Sequence, residues 1–184
     1  MKSSVTSNSR RKFLTTGTLG ALALASGATH KIWAQQDKRS LGVALVGLGS
    51  YATHQLAPSL LQTKSCHLAG IVTGTPSKAE KWQQEYQIKA SHTYNYESFE
   101  RIADNKDIDI VYVVLPNSMH AEFTIRAAEA GKHVICEKPM AISSEECRQM
   151  ISACKKAGSK LAIGYRCHYD PYNLEMMRLG QKQV

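Results

Sequence analysis

Leu41-Gly42-Val43-Ala44-Leu45-Val46 runs directly into Gly47-Leu48-Gly49-Ser50-Tyr51-Ala52, and these twelve residues decide how the rest of the chain is read. The first six are almost wholly apolar, which suits a strand buried on both faces of a parallel sheet. The next six have the form G-x-G-x-x-A, the pattern of a turn that lets a dinucleotide approach the backbone. Each small residue has its reason: Gly47 for the tight turn, Gly49 for close approach of a pyrophosphate, Ala52 for close packing of helix on strand. Ser50 and Tyr51 open the helix, whose free N–H groups and dipole favour a diphosphate. A glycine-rich turn that holds no ligand is the competing reading. The buried strand before it and the helix after it favour the dinucleotide.

Downstream, strand and helix patterns alternate. A helix is predicted from about Ser50 to Gln62, with a kink or break at Pro58. His67 to Thr73 reads as a second strand, and Ser77 to Tyr86 as a helix with Ala79, Trp82 and Tyr86 on one face. A weak third strand lies near His92 to Tyr94, followed by a helix through Phe99 and Ile102. Asp109 to Leu115 is a fourth strand, Met119 to Ala130 a helix ended by Gly131, and Lys132 to Cys136 a fifth strand. Ser143 to Ala157 is a helix opened by the capping box Ser143-x-x-Glu146, with an apolar stripe of Cys147, Met150, Ile151, Cys154 and Ala157. Lys160 to Gly164 is a sixth strand. The alternation predicts an α/β fold, a doubly wound parallel sheet of the dinucleotide-binding (Rossmann) type.

The first 34 residues read as an export leader. Ser9-Arg10-Arg11-Lys12-Phe13-Leu14 resembles the twin-arginine consensus, and an apolar run from Phe13 to Ala28 follows it. That run is too short and too rich in Gly and Thr to span a membrane. Ile32-Trp33-Ala34 is the candidate cleavage site, with Ile a mediocre residue where a small one is usual. The competing reading is a loose basic N-terminus. The order of basic, apolar and cleavage regions favours a leader, and so an exported, periplasmic protein that engages the twin-arginine machinery. Residues 35–40 are a linker, 41–165 the dinucleotide-binding domain, and 166–184 the start of a second domain. Of the formal charge of +8, five units come from Lys2, Arg10, Arg11, Lys12 and Lys31. No downstream patch interleaves basic and aromatic residues, so no nucleic-acid partner is expected. The five cysteines, Cys66, Cys136, Cys147, Cys154 and Cys167, include no C-x-x-C pair and read as buried free thiols, with no metal site.

Three strand ends carry the candidate chemistry. The second ends Ile71-Val72-Thr73-Gly74, without the carboxylate that binds the adenine-side ribose of NAD. Thr73 offers a hydroxyl and Lys78 a nearby cation, which suits the 2′-phosphate of NADP. Alternatively Thr73 caps a turn and Lys78 is a solvated lysine. The fourth strand ends in Leu115-Pro116-Asn117-Ser118-Met119-His120, a turn that should face the cofactor. Ser118 reads as a helix cap, and Asn117 as a cap or a cofactor contact. His120 reads as a structural residue or a cofactor contact rather than a proton carrier. The fifth ends in Cys136-Glu137-Lys138-Pro139. There Lys138 is placed to hydrogen-bond a ribose or substrate hydroxyl and favour its deprotonation, with Glu137 orienting it. The Lys138–Pro139 bond is a candidate for cis, and a surface ion pair between Glu137 and Lys138 is the plain alternative.

Taken together, Gly47-Leu-Gly-Ser-Tyr-Ala52, Leu115-Pro-Asn-Ser-Met-His-Ala-Glu122, Gly131-Lys-His-Val-Ile-Cys-Glu-Lys-Pro139 and Gly164-Tyr-Arg-Cys-His-Tyr-Asp-Pro171 resemble the Gfo/Idh/MocA oxidoreductase family. Within it they are most similar to the glucose–fructose oxidoreductase branch. The resemblance runs from about Gly42 to Tyr172. It implies a tightly held NADP that one sugar reduces and another reoxidises, with Lys138 as the active-site lysine. It also implies that Arg166 and His168 line the nicotinamide side and that Thr73 and Lys78 meet the 2′-phosphate. Family members continue into an α+β domain that binds the sugar, builds a homo-oligomer and supplies partner acid–base groups. The expectation for this chain alone is therefore cofactor binding without turnover, and exposed apolar surface on its last helix. Two other readings stand beside it. One is a binding-only or vestigial nucleotide-binding protein. The other is an NAD-dependent glycosidase, a similar family that usually lacks a lysine at the Glu-Lys-Pro position.

Overall fold

The computed structural model describes residues 39–181, so the twin-arginine and cleavage-site readings lie outside the described residues. Six parallel strands form one sheet: β1 (Leu41–Val46), β2 (Cys66–Val72), β3 (Thr93–Tyr94), β4 (Ile110–Val113), β5 (His133–Cys136) and β6 (Leu161–Ile163). Their spatial order is β3-β2-β1-β4-β5-β6. This is the doubly wound sheet predicted from the alternation. The order reverses between β1 and β4, and in such sheets ligands bind beyond the strand ends at that reversal.

Alternation along β1 shows why the sheet needs cover on both faces. Val43 and Leu45 join Leu48, Ala52, Ala57, Ile71 and Trp82 on one side. Ala44 and Val46 point the other way, into a larger cluster with Phe99, Phe123, Met150 and Cys154. Both sets are buried, so the strand has no polar face and its sequence is a continuous apolar run.

The pairing register puts Tyr94, Val72, Val46, Val113, Cys136 and Ile163 side by side in one row. The residues just beyond that row therefore share one edge of the sheet, where Gly47, Thr73, Val114, Glu137 and Gly164 stand. Backbone bonds extend the ladder to them, Gly47 N–H to the Val72 carbonyl at 3.0 Å and Glu137 N–H to the Val113 carbonyl at 3.0 Å among others.

Several helices differ from the sequence expectation. The first opens at residue 50 and contains a π-helical turn, Ala52–Leu56, before α1 (Ala57–Leu60). Pro58 has no N–H to give the preceding turn, and the widened turn absorbs that loss without ending the helix. α2 (Pro76–Tyr86) buries Trp82 as predicted. The segment Phe99–Asp104 is a 3₁₀ helix, whose three-residue repeat stacks the buried Phe99 and Ile102 on one face. A 3₁₀ turn, Asn117–Met119, leads into α3 (His120–Glu129), and no side chain caps either, so Ser118 is not a cap. α4 (Ser144–Ala157) is capped by Ser143, whose hydroxyl accepts from Glu146 N–H at 3.1 Å. The Glu146 carboxylate reaches one residue further back than a capping box requires, to the N–H of Ile142. The buried stripe of α4 is narrower than predicted. Met150 and Cys154 are buried and Cys147 half-buried, but Ile151 and Ala157 face solvent. Ile151 lies about 100° round the helix from Met150, off the side that packs on α3. α5 (Pro171–Gly180), capped by Asp170, closes the described chain. The cysteines are all free, but only Cys136 and Cys154 are buried, and Cys167 is exposed. No helix among the described residues is long and apolar enough to cross a membrane.

Candidate functional site

A cavity of about 740 Å³ opens at the carboxyl edge of the sheet, over the reversal between β1 and β4. Its lining brings together residues predicted from four separate stretches. Gly49, Ser50 and Tyr51 come from the turn after β1, Leu115 and His120 from the turn after β4, Glu137 and Lys138 from the end of β5, and Arg166 and His168 from the turn after β6.

The turn after β1 is built as its sequence demands. Gly47 has φ +95°, and a Cβ there would lie 2.4 Å from the carbonyl oxygen of Val114. Only glycine satisfies both conditions. Gly49 is different: a Cβ built on it meets no protein atom within 4 Å, so its backbone borders open space. Ala52 is fully buried against the strand. Across the mouth of the cavity, the Arg166 guanidinium carbon lies 5.9 Å from the centroid of the Tyr51 ring.

His120 is buried, with Nδ1 2.8 Å from the Pro139 carbonyl oxygen and Nε2 2.8 Å from that of Leu115. It ties the turn after β4 to the Glu-Lys-Pro turn, which gives the structural role predicted for it a definite form. Lys138–Pro139 is a cis peptide. Lys138 is exposed on the cavity wall, and no hydrogen bond or ion pair links its side chain to Glu137. Glu137 is 9% exposed and faces inward instead. Its Oε1 accepts from the Tyr112 hydroxyl at 2.7 Å and its Oε2 from the Lys138 backbone N–H at 3.2 Å. Neither the surface ion pair nor a direct orienting contact on the lysine side chain is present.

Six predicted residues stand outside the cavity lining: Gly47 and Ala52, whose places in the turn are given above, and Thr73, Lys78, Pro116 and Asn117. Thr73 is buried, and its hydroxyl accepts from Thr75 N–H at 3.2 Å, so it does cap a turn. The Lys78 ammonium donates to the Leu48 carbonyl oxygen at 3.3 Å, beside the glycine-rich turn. Pro116 and Asn117 are exposed on the turn after β4. The sequence reading missed Val114, Gly164, Tyr165 and Cys167 in the lining, and Tyr112 beneath it. Tyr112 carried a signal, as a lone hydroxyl in the strand Ile110-Val111-Tyr112-Val113.

A dinucleotide fits these residues. Open space beside Gly49, a hydroxyl at Ser50, and cations at Lys138 and Arg166 form a donor set suited to phosphate and ribose oxygens.

Comparison with known proteins agrees. D-xylose 1-dehydrogenase [NADP(+)] of Haloarcula marismortui is 30% identical over 151 residues, covering 81% of this chain and 42% of the relative. The crystal structure of aldose-aldose oxidoreductase from Caulobacter crescentus, complexed with glycerol, superposes with a TM-score of 0.77 at 51% identity. That match covers 78% of this chain and 43% of the other. A 3-ketoreductase from Actinomadura kijaniata, solved with NADP, shares the fold at a TM-score of 0.70 and 22% identity. The chain thus spans less than half the length of these relatives. Residues 41–165 match the family model described as an oxidoreductase family with an NAD-binding Rossmann fold, and the chain belongs to that Gfo/Idh/MocA family.

Proposed function

We propose that this chain is the NADP-binding part of an exported sugar oxidoreductase, in which hydride passes between a sugar and a tightly held cofactor. The observation that carries this reading is the single cavity walled by Gly49–Tyr51, by Glu137–Lys138 and by Arg166–His168. The identity with an aldose-aldose oxidoreductase supports the sugar, and the NADP named for the xylose dehydrogenase supports the cofactor.

The nicotinamide, when bound, supplies the hydride donor or acceptor. The remaining chemistry falls to side chains. The backbone around Gly49 and the Ser50 hydroxyl receive phosphate. The Lys138 ammonium, extended from the Glu-Lys-Pro turn, holds a hydroxyl of ribose or sugar. Its charge favours the alkoxide that forms as a carbinol is oxidised. Arg166 and His168 close the opposite wall. Thr73, just past β2, and Lys78, in the first turn of α2, favour a 2′-phosphate because no carboxylate at that strand end repels it.

The test is native mass spectrometry of protein purified without added nucleotide, followed by titration of nucleotide-free protein with NADPH, read by fluorescence. A retained mass of NADP and saturable NADPH binding are expected. Protein that carries no nucleotide and binds none would sink the proposal. Export is tested separately, with Arg10→Lys and Arg11→Lys combined. Twin-arginine receptors read the guanidinium pair, so the double variant should stay in the cytoplasm, and unchanged export would refute the leader.

A further inference from the structure

We infer that Tyr112 is a positioning residue for the nicotinamide end of the cavity, acting through Glu137. The inference rests on the proposed cofactor site and deepens it. Tyr112 stands on β4 with its ring packed on the Val43–Leu45 side of the sheet, and its hydroxyl reaches Glu137 Oε1 at 2.7 Å. A carboxylate this buried is costly unless its oxygens are satisfied, and no cation pairs with Glu137 among the described residues. Two donors hold it, the Tyr112 hydroxyl and the Lys138 backbone N–H.

The next strand makes room for this pair. A Cβ on Gly164, beyond β6, would lie 2.7 Å from Glu137 Oε1 and 3.2 Å from the Tyr112 hydroxyl. Three neighbouring strand ends thus contribute a hydroxyl, a carboxylate and a missing side chain to one arrangement. Its product is a fixed backbone at Lys138, with the remaining lone pairs of Glu137 open to the cavity. Burial, and then the hydrogen bond and charge of Glu137, raise the Tyr112 hydroxyl above the usual tyrosine range, so it remains a donor at any working pH. A tyrosine that only filled the core would lose nothing relevant on becoming phenylalanine. One that fixes Glu137 would.

The test compares the unsubstituted chain with Tyr112→Phe and Gly164→Ala. Affinities for NADPH and for adenosine 2′,5′-diphosphate, which lacks the nicotinamide end, are measured for each. Both variants should bind NADPH roughly tenfold more weakly, the scale of one hydrogen bond to a charged group. Their affinity for the diphosphate should stay within about twofold of the unsubstituted protein. Equal weakening of both nucleotides, or of neither, would overturn the inference. A ligand-free arm follows hydrogen exchange of the Lys138 backbone N–H, which the Tyr112–Glu137 pair holds. In Tyr112→Phe that amide should exchange several-fold faster than in the unsubstituted chain while core amides of β1 keep their rates, and an unchanged Lys138 rate would overturn the inference whatever the nucleotide data. If the unsubstituted chain binds neither nucleotide, the proposed function itself falls, and the cofactor role of Tyr112 with it.

Discussion

Lys78 and Leu48 meet across the front of the glycine-rich turn, the lysine ammonium 3.3 Å from the leucine carbonyl oxygen. One long bond leaves most of the ammonium's donor capacity free, at the place where the end of β2 borders the turn after β1. Thr73 lies behind it, buried, with no carboxylate nearby on the same strand end.

Cofactor preference should follow from that pair. Thr73→Asp places an anion where a 2′-phosphate would sit and offers an acceptor to a free ribose hydroxyl. The preference for NADP over NAD should shift towards NAD by about 1–3 kcal/mol, typical of hydrogen bonds to charged groups. Lys78→Ala should move it the same way. Titration of both nucleotides against all three proteins measures the ratio, and an unaltered ratio would place the 2′-phosphate elsewhere.

The two glycines of the turn should separate folding from binding. Gly47→Ala meets the Val114 carbonyl at 2.4 Å in a backbone at φ +95°, and should cost about 2 kcal/mol or more of stability. Gly49→Ala meets no protein atom within 4 Å and should unfold at the same temperature as the unsubstituted chain. Its methyl group occupies the space a pyrophosphate needs, so NADPH affinity should fall at least tenfold. Thermal melts with and without NADPH distinguish the two. A Gly49→Ala protein that binds normally would show the diphosphate does not pass there.

Stability should decline on the alkaline side. Burial pushes the Cys136 thiol from 9.0 up to about 11, and Tyr112 is raised as well, chiefly by burial. Both are acids whose neutral form the fold favours. Their contribution is complete below the unfolded values and is lost as pH rises, for Cys136 between about 9 and about 11. Melting temperatures from pH 8 to 11 should fall less steeply for Cys136→Ala than for the unsubstituted protein. Identical slopes would remove Cys136 as a cause. Iodoacetamide at neutral pH should label exposed Cys167 and leave Cys136 and Cys154 until the protein unfolds.

The last helix should govern self-association. Leu174, Met176, Met177 and Leu179 on α5 are 46%, 70%, 41% and 51% exposed, which is a run of apolar side chains on one short helix. Met176→Lys with Leu179→Glu should shift the chain towards monomer in sedimentation experiments without changing its melting temperature. A distribution unchanged by the pair would move the association to another surface.

Much of this was legible in the sequence, because each feature obeys a local rule. A strand covered on both faces needs an apolar residue at every position, so β1 reads as a continuous run. A turn at φ +95° needs glycine at Gly47, and close approach of a ligand needs one at Gly49, so the pair announces the crevice. The strand ends carried Thr73, Glu137 and Lys138 as the first polar residues after apolar runs, although Thr73 and Glu137 are themselves buried. Local rules misjudged Ser118 and Ile151. Whether a serine caps, or which side of α4 is covered, depends on what lies opposite.

Adjacency was decided only by the tertiary structure. Periodicity gives six strands but not the order β3-β2-β1-β4-β5-β6, and that order sets β4, β5 and β6 side by side. Tyr112 and Glu137, separated by 25 positions in the chain, thereby meet through a hydroxyl and a carboxylate, with Gly164 leaving room for both. The sequence alone offered Lys138 as the partner of Glu137, since neighbours in sequence are the only neighbours it displays. In a parallel strand, however, successive side chains point to opposite sides, and the register aligns the ends of separate strands instead. That geometry turned Glu137 inward to Tyr112 and left the Lys138 ammonium free in the cavity.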